Sequence, residues 1–175
     1  MTTTNKILVV AAIVILLTTA TTMGVSAKAL NLIKSFEGEK LKAYRDTGNI
    51  WTIGFGSVYN HDAGRKVVEG DIIDKETALR WLRLDAGKFA AGVKKLVKVP
   101  INQNQLDSLT SFAYNLGLGA LQNSTLLRKL NAGSPKTEVA AEFLKWNKGR
   151  NSAGILVELP GLTRRREAEK ELFLL

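Results

Sequence analysis

The pattern of apolar residues changes period at Gly38, and this change constrains the fold more than any other feature. From Lys28 to Glu37 the apolar residues Ala29, Leu30, Leu32, Ile33 and Phe36 share one helical face, with Lys28, Asn31, Lys34 and Ser35 opposite. From Lys40 to about Tyr59 the chain turns to short aromatic and β-branched runs, Leu41-Lys42-Ala43-Tyr44 and Ile50-Trp51-Thr52-Ile53-Gly54-Phe55-Gly56. The turn Asp46-Thr47-Gly48-Asn49 separates them. Beyond Asp74, helical periodicity returns and persists. Asp74 caps a helix carrying Ala78, Leu79, Leu82, Ala86 and Phe89, and Pro100 breaks the chain. Asn102 or Asn104 begins a helix with Leu106, Leu109, Phe112 and Ala113, and Gly117-Leu118-Gly119 is a break. Ser124 caps a helix to Leu130, Pro135 begins another, and a loop runs from Asn147 to Gly154 before a final helix from Thr163. The expected class is α+β: a small antiparallel three-stranded sheet near the start and a larger helical lobe after it.

One segment stands apart. Lys6 and Lys28 bracket 21 uncharged residues, Ile7 to Ala27, strongly apolar to Leu17 and then diluted by Thr, Ser and Gly. A bilayer-spanning helix takes roughly 20 residues, so an apolar N-terminal helix is expected. A cleaved secretory signal fits the basic start and the small-residue site Val25-Ser26-Ala27. A permanent anchor fits the length but not the weak second half, and a marginally apolar helix also suits a segment that enters the membrane and later leaves it. A buried soluble helix is the plainest alternative. The first three readings divide the chain into 1–27, an export segment, and 28–175, a domain that crosses the cytoplasmic membrane.

The domain retains a strongly basic balance, 25 Lys plus Arg against 16 Asp plus Glu in the whole chain, which calls for an anionic partner. The basic residues are scattered rather than gathered among aromatics, which argues against nucleic acid. With no Cys and one His, thiol catalysis and most transition-metal sites are nearly excluded. What remains for chemistry is Glu37 at a helix end, Asp46 nine residues on in a turn, and Thr52 six further in a strand. The helix dipole and the neighbours Phe36 and Ile33 disfavour a charged Glu37, which suits a general acid. Taken singly, the three are an exposed helix-end Glu, an ordinary turn Asp and a Thr of high β propensity.

Taken together, they resemble a family. Phe36-Glu37-Gly38, Ala43-Tyr44-Arg45-Asp46 and Trp51-Thr52-Ile53-Gly54-Phe55-Gly56 look like the active-site region of the bacteriophage-type lysozymes. Gln105 to Gly117 resembles the family's central helix, Ser124 to Asn131 the helix after it, and Gly161 to Glu169 with Leu172-Phe173 its C-terminal signature. The N-terminus further resembles phage endolysins with a signal-anchor-release segment. The resemblance implies a lysozyme-like fold, a sheet lobe and a helical lobe with the active-site cleft between them. It implies hydrolysis of the β-1,4 bond between N-acetylmuramic acid and N-acetylglucosamine in peptidoglycan, with host lysis as the outcome and no cofactor. Glu37 would be the general acid, and Asp46 and Thr52 would hold a water for inversion. Tyr114 and Asn115 would line the cleft, and Arg165 is the candidate partner of Glu37. For Arg164, Arg165 and Arg166 the plain alternative is a solvated helix face; for Tyr44 and Trp51, core packing competes with sugar stacking. The partners implied are peptidoglycan and, through residues 1–27, the inner membrane, for a monomer that stays tethered and inactive until released to the periplasm. One departure is visible: Ser57 stands where many relatives carry His, and His61 follows out of step.

Overall fold

Helix α1 (Ala27–Glu37) begins where a side chain can satisfy a free amide. Ser26 is extended, and its hydroxyl accepts from the Lys28 N–H at 3.1 Å. The helix stops at Gly38, whose φ of +70° costs a glycine little. The computed structural model describes residues 23–46, 48–151 and 153–175, so most of the expected N-terminal apolar helix lies outside the described residues. Among the described residues, no helix is long and apolar enough to cross a membrane. Residues 23–26 are stitched to the helical lobe. Met23 and Val25 pack on its core. Lys94 Nζ donates to the Met23 carbonyl at 2.7 Å and Gln103 Nε2 to that of Gly24 at 2.8 Å. The Ser26 amide and hydroxyl both donate to the buried carboxylate of Asp107.

In the sheet lobe, β1 (Lys40–Arg45) and β2 (Trp51–Gly54) form an antiparallel hairpin with Tyr44 opposite Thr52. After β2 the chain doubles back through Gly54 and Gly56, at φ +68° and +95°, and Ile53 and Ser57 exchange both backbone bonds at 2.9 Å. β3 (Tyr59–Asn60) and β4 (Arg65–Lys66) then form a second hairpin. The expected single three-stranded sheet is therefore two short hairpins joined by a glycine turn, because the reversal at Gly54–Gly56 leaves no strand long enough to extend the first ladder. Asp71 ties them together. Its carboxylate takes two bonds from the Arg65 guanidinium, at 2.9 and 2.7 Å, and one from the Val68 N–H at 3.1 Å, while its carbonyl accepts from Ala43 N–H in β1 at 2.9 Å. The Arg65 guanidinium holds the Asp71 carboxyl well below the usual carboxylate range.

The helices follow their local caps: Asp74 for α2 (Lys75–Leu96), an Asn102–Gln105 capping box for α3 (Gln103–Leu116), and Ser124 for α5 (Thr125–Asn131). The expected break at Gly117–Gly119 is shorter than read, since α4 (Leu118–Gln122) restarts at once. After α6 (Lys136–Ala141) and a 3-10 turn (Glu142–Trp146), the expected loop contains part of a hairpin, β5 (Lys148–Arg150) with β6 (Leu156–Glu158). Its Lys-Gly-Arg strand has no apolar alternation to reveal it. The final helix, α7 (Pro160–Leu174), starts three residues before Thr163 because proline fits the first helical position.

Helix α2, about 33 Å long at 1.5 Å per residue, contributes to three apolar clusters. Trp81 packs with Ile53 and Val67 of the sheet lobe, and Ala78, Leu82 and Ala86 pack with Ile33 and Phe55. Ala90 and Val93 join Leu106, Leu109, Phe112, Phe143 and Phe173 in the helical lobe. The strut fixes the spacing of the lobes and leaves a groove between them. Ser26→Ala removes the α1 cap and the hydroxyl donor to the buried Asp107 carboxylate, which keeps from residue 26 only the backbone amide. We expect it to lower unfolding free energy by about 2 kcal/mol, read from the urea midpoint.

Candidate active site

Three consecutive elements deliver polar side chains to the groove. Glu37 is the last residue of α1, Asp46 follows β1, and Thr52 is the second residue of β2. Together with Tyr44, Gly56, Tyr114 and Asn115 they line one cavity of about 350 Å³. At Gly56 a Cβ would lie 3.5 Å from Glu37 Oε2 and 3.7 Å from the Tyr114 ring, so the backbone forms the floor beside the acid.

Each group is held. Arg165, from the first turns of α7, donates from Nη1 to Glu37 Oε1 at 2.6 Å; the arginine side chain is 4% exposed and the glutamate 22%. Glu37 therefore keeps one oxygen for its partner and presents a carboxyl to the groove. Asp46 Oδ1 accepts from the amides of Gly48 and Ile50, at 2.9 and 2.8 Å, which fixes the carboxylate in its turn. Thr52 is buried, and its hydroxyl donates to the Ile50 carbonyl at 3.1 Å, so its lone pairs remain to accept from a water. Tyr114 OH donates to the Phe55 carbonyl at 2.8 Å. Burial, then the negative charges of Asp85 and Glu37, push its phenol far up, so it stays a neutral donor. Burial and the charges of Glu37 and Asp46 push Tyr44 up as well, and Lys40 Nζ sits 4.0 Å from the centre of its ring. Asn115 Oδ1 accepts from Arg166 Nη2 at 3.1 Å. Trp51 is partly buried against the sheet-lobe cluster, with the Arg45 guanidinium 4.4 Å over its ring.

The central cavity does not end at these residues. It shares Glu37 and Asn115 with a neighbour of about 570 Å³ lined also by Phe36, Leu162 and Arg164. On the other side it shares Gly56 and Tyr114 with one of about 250 Å³ that includes Val58, Tyr59, Asp85 and Phe89. Among the described residues no group of acidic, His or Cys side chains is arranged to hold a metal.

The sequence reading did not find Asp85. From α2 its two oxygens accept separately, Oδ2 from Ser57 Oγ at 2.7 Å, and Oδ1 lies 2.8 Å from His61 Nε2. The imidazole is itself wedged edge-on between Tyr59 and Trp81, at 5.3 and 5.6 Å between ring centres. Thus His61, out of step in sequence, and Ser57 both reach the α2 carboxylate. The available signal was an acid placed among the inward positions Leu82, Ala86 and Phe89.

A two-lobed α+β domain with a carboxyl-lined groove is the lysozyme-like class. The endolysin from Escherichia coli O157:H7 phage FAHEc1 superposes with a TM-score of 0.77 at 40% identity, over 87% of this chain and 94% of that one. The family model described as "Phage lysozyme" matches residues 34–169. The endolysin of Acyrthosiphon pisum secondary endosymbiont phage 1 is 42% identical over 151 residues, 86% of this chain and 98% of the relative. That of Bacillus phage B103 is 48% identical over 154 residues, 87% of this chain, but the chain spans only about half (54%) of that relative's length. The SAR-endolysin of Escherichia phage 933W matches at 37% identity over 111 residues, 63% of this chain and 60% of that one. The chain belongs to the phage lysozyme family.

Asp85→Ala would leave His61 without its acceptor beneath the groove and Ser57 Oγ with only the Tyr59 carbonyl. We expect a loss of about 2 kcal/mol of unfolding free energy, seen as a lower denaturant midpoint at unchanged slope.

Proposed function

We propose that this chain is a muramidase-type glycoside hydrolase, an endolysin that cuts the β-1,4 bond between N-acetylmuramic acid and N-acetylglucosamine in peptidoglycan. The observation that carries the reading is the row of linked cavities with Glu37 at the junction of two of them. A single sugar needs one cavity; a glycan strand needs a groove open on both sides of the cleaved bond. Glu37 protonates the leaving oxygen as general acid. Asp46, fixed by two amides, accepts a proton from a water that Thr52 helps to orient. The water attacks the face of the sugar opposite the acid, so the anomeric centre inverts. An inverting pair needs roughly 6.5–9.5 Å between carboxyls, and a cavity of about 350 Å³ with both acids on its lining has room for sugar and water. Net positive charge, +9 over the chain, draws the enzyme to an anionic wall.

The same reading covers residues 1–27 as a signal-anchor that later leaves the bilayer. Support comes from the docking of residues 23–26 on Lys94, Gln103 and Asp107. A segment in the membrane cannot also lie against α2 and α3. While it is inserted, α1 lacks its N-terminal stitching and Glu37, ten residues from Ala27, lacks a fixed helix to stand on. Release to the periplasm lets the segment dock and completes the site.

Glu37→Gln is expected to reduce the release of reducing ends from purified peptidoglycan by about 10³-fold or more, and proton NMR of the parent reaction should show the α anomer first. A β anomer would refute inversion, and an active Glu37→Gln would refute the acid. For the tether, replacing Thr18, Thr19, Thr21, Thr22 and Gly24 by Leu should keep the protein in the membrane fraction and prevent lysis. Lysis on the normal schedule by that trapped form would count against the idea.

A further inference from the structure

Behind Arg165 lies a cluster of buried charge that the reaction just described leaves unused. Glu169, one turn along α7, has no solvent exposure. Its Oε1 gathers three donors: Ser111 Oγ at 2.8 Å, Arg166 Nη2 at 2.9 Å and Arg165 Nε at 3.3 Å. Arg166 is equally buried; the same Nη2 also reaches Asn115 Oδ1, and the guanidinium lies 5.1 Å from the centre of the Phe112 ring. Arg166 Nε and Nη1 and Glu169 Oε2 have no partner among the described residues, so hydrogen bonding alone does not account for the pair. Stability does not account for it either, because a buried ion pair is often no better than apolar side chains of the same volume.

The placement offers another account. From the interior to the groove the charges run Arg166, Glu169, Arg165, Glu37, alternating in sign and summing to zero. We propose that Glu169 and Arg166 are positioning residues for catalysis, an opposed pair behind Arg165 that sets how much positive charge the acid feels. Glu169 draws on Arg165 from behind through Nε and competes with Glu37 for it. Arg166 works the other way, by occupying Glu169 and by adding its own positive charge. Burial pushes the Glu169 carboxyl up, against the pull of the two guanidiniums and Ser111, and pushes Arg166 down to about 10. Both directions reflect charges that water does not screen.

The inference rests on the reading of Glu37 as the acid. Other groups face Glu37 from every side: Arg164 and Arg165 from α7, Tyr114 from α3, Tyr44 from β1, Asp46 from the turn, and Lys34 on its own helix. None of them is itself replaced by substitutions at 166 and 169, and of these groups Arg165 is the one bonded to Glu169, so those substitutions act on Glu37 through the buried pair and Arg165.

The test is kcat/KM against pH for the purified full chain on purified peptidoglycan, with thermal melts to establish folding. Glu169→Gln leaves the cluster one charge more positive, which favours the Glu37 anion, so the alkaline limb of activity should move to lower pH by about one unit. Arg166→Met leaves it one charge more negative, and the limb should move to higher pH by a similar amount. The double variant restores neutrality and should return the limb close to its parental position. If Glu169→Gln fails to fold, Arg166→Met and the double variant still carry the comparison. A merely structural role lowers activity in all three without opposite shifts; coincident limbs, or limbs moving the same way, overturn the proposal. Glu37→Gln in the same assay separates the two levels. An active Glu37→Gln removes the acid and the inference with it, whereas an inactive one beside unmoved limbs sinks the inference alone.

Discussion

The contact between Arg165 and Glu37 joins residues 128 positions apart and ties the end of α1 to α7 at the groove. A helix end is the part of a helix most prone to fray, and α1 carries its functional side chain on its final residue. As a surface ion pair the contact would be worth little. With the guanidinium buried and tied to Glu169 and the Ser111 carbonyl, it fixes where a carboxyl must stand. α7 is itself held by Phe173 in the helical core, so the position of the acid is inherited from the packing of Phe112, Phe143 and Phe173. The opposite end of α1 depends on Ser26 and Asp107. A single short helix is thus pinned at both ends to the larger lobe, while the sheet lobe brings Asp46 and Thr52 to meet it.

The two lobes make different demands on the sequence. The helical lobe is built on an apolar core of Leu, Phe, Ala and Val, and tolerates polar groups only where they pair, as Ser108 and Ser111 do with Glu169. The sheet lobe is too small for such a core. Ile53, Val67 and Trp81 are its buried centre, and the rest is secured by carboxylates: Asp71 between the hairpins, Asp62 on Arg80, Asp85 under Ser57 and His61. Such a lobe can place a turn carboxylate accurately at modest cost in chain length, because each carboxylate closes a short loop of backbone.

How much of this could be read in advance follows from the range of each interaction. Caps are local, so Asp74 and Ser124 announced their helices from sequence, and of the two candidates Asn102 and Asn104 the structure selects Asn102. The turn at Asp46 and the strand of Thr52 are equally local, and their meeting with Glu37 was legible through the resemblance of three short motifs. Other features are fixed at a distance. Nothing in Lys148-Gly149-Arg150 marks a strand; a Cβ at Gly149 would lie 2.5 Å from Leu159 Cδ1, so the end of the Leu159 side chain packs over the glycine. The glycines at 54 and 56 were visible, but only their positive φ values show that they end the first sheet rather than continue it. Glu169 looks in sequence like one more exposed acid of a charged helix; its burial is decided by Ser111, 58 positions away.

The Ser57 departure shows what a resemblance carries across and what it does not. The resemblance expects a His at that position, and matching by position alone makes its loss a missing contact. The structure places the constraint on the acceptor. Asp85 is fixed on α2, between Leu82 and Ala86, whose burial sets the face that turns toward Ser57. A carboxylate has two oxygens, and any nearby chain that supplies two donors meets its demand. Here a serine hydroxyl takes one oxygen, and a histidine from the next hairpin, steadied by Tyr59 and Trp81, takes the other. The donor is free to move along the chain because the Ile53–Ser57 turn and β3 bring positions 57 and 61 to the same edge of the groove. Two donors from different turns, Ser57 and His61, thus meet one partly buried carboxylate on α2.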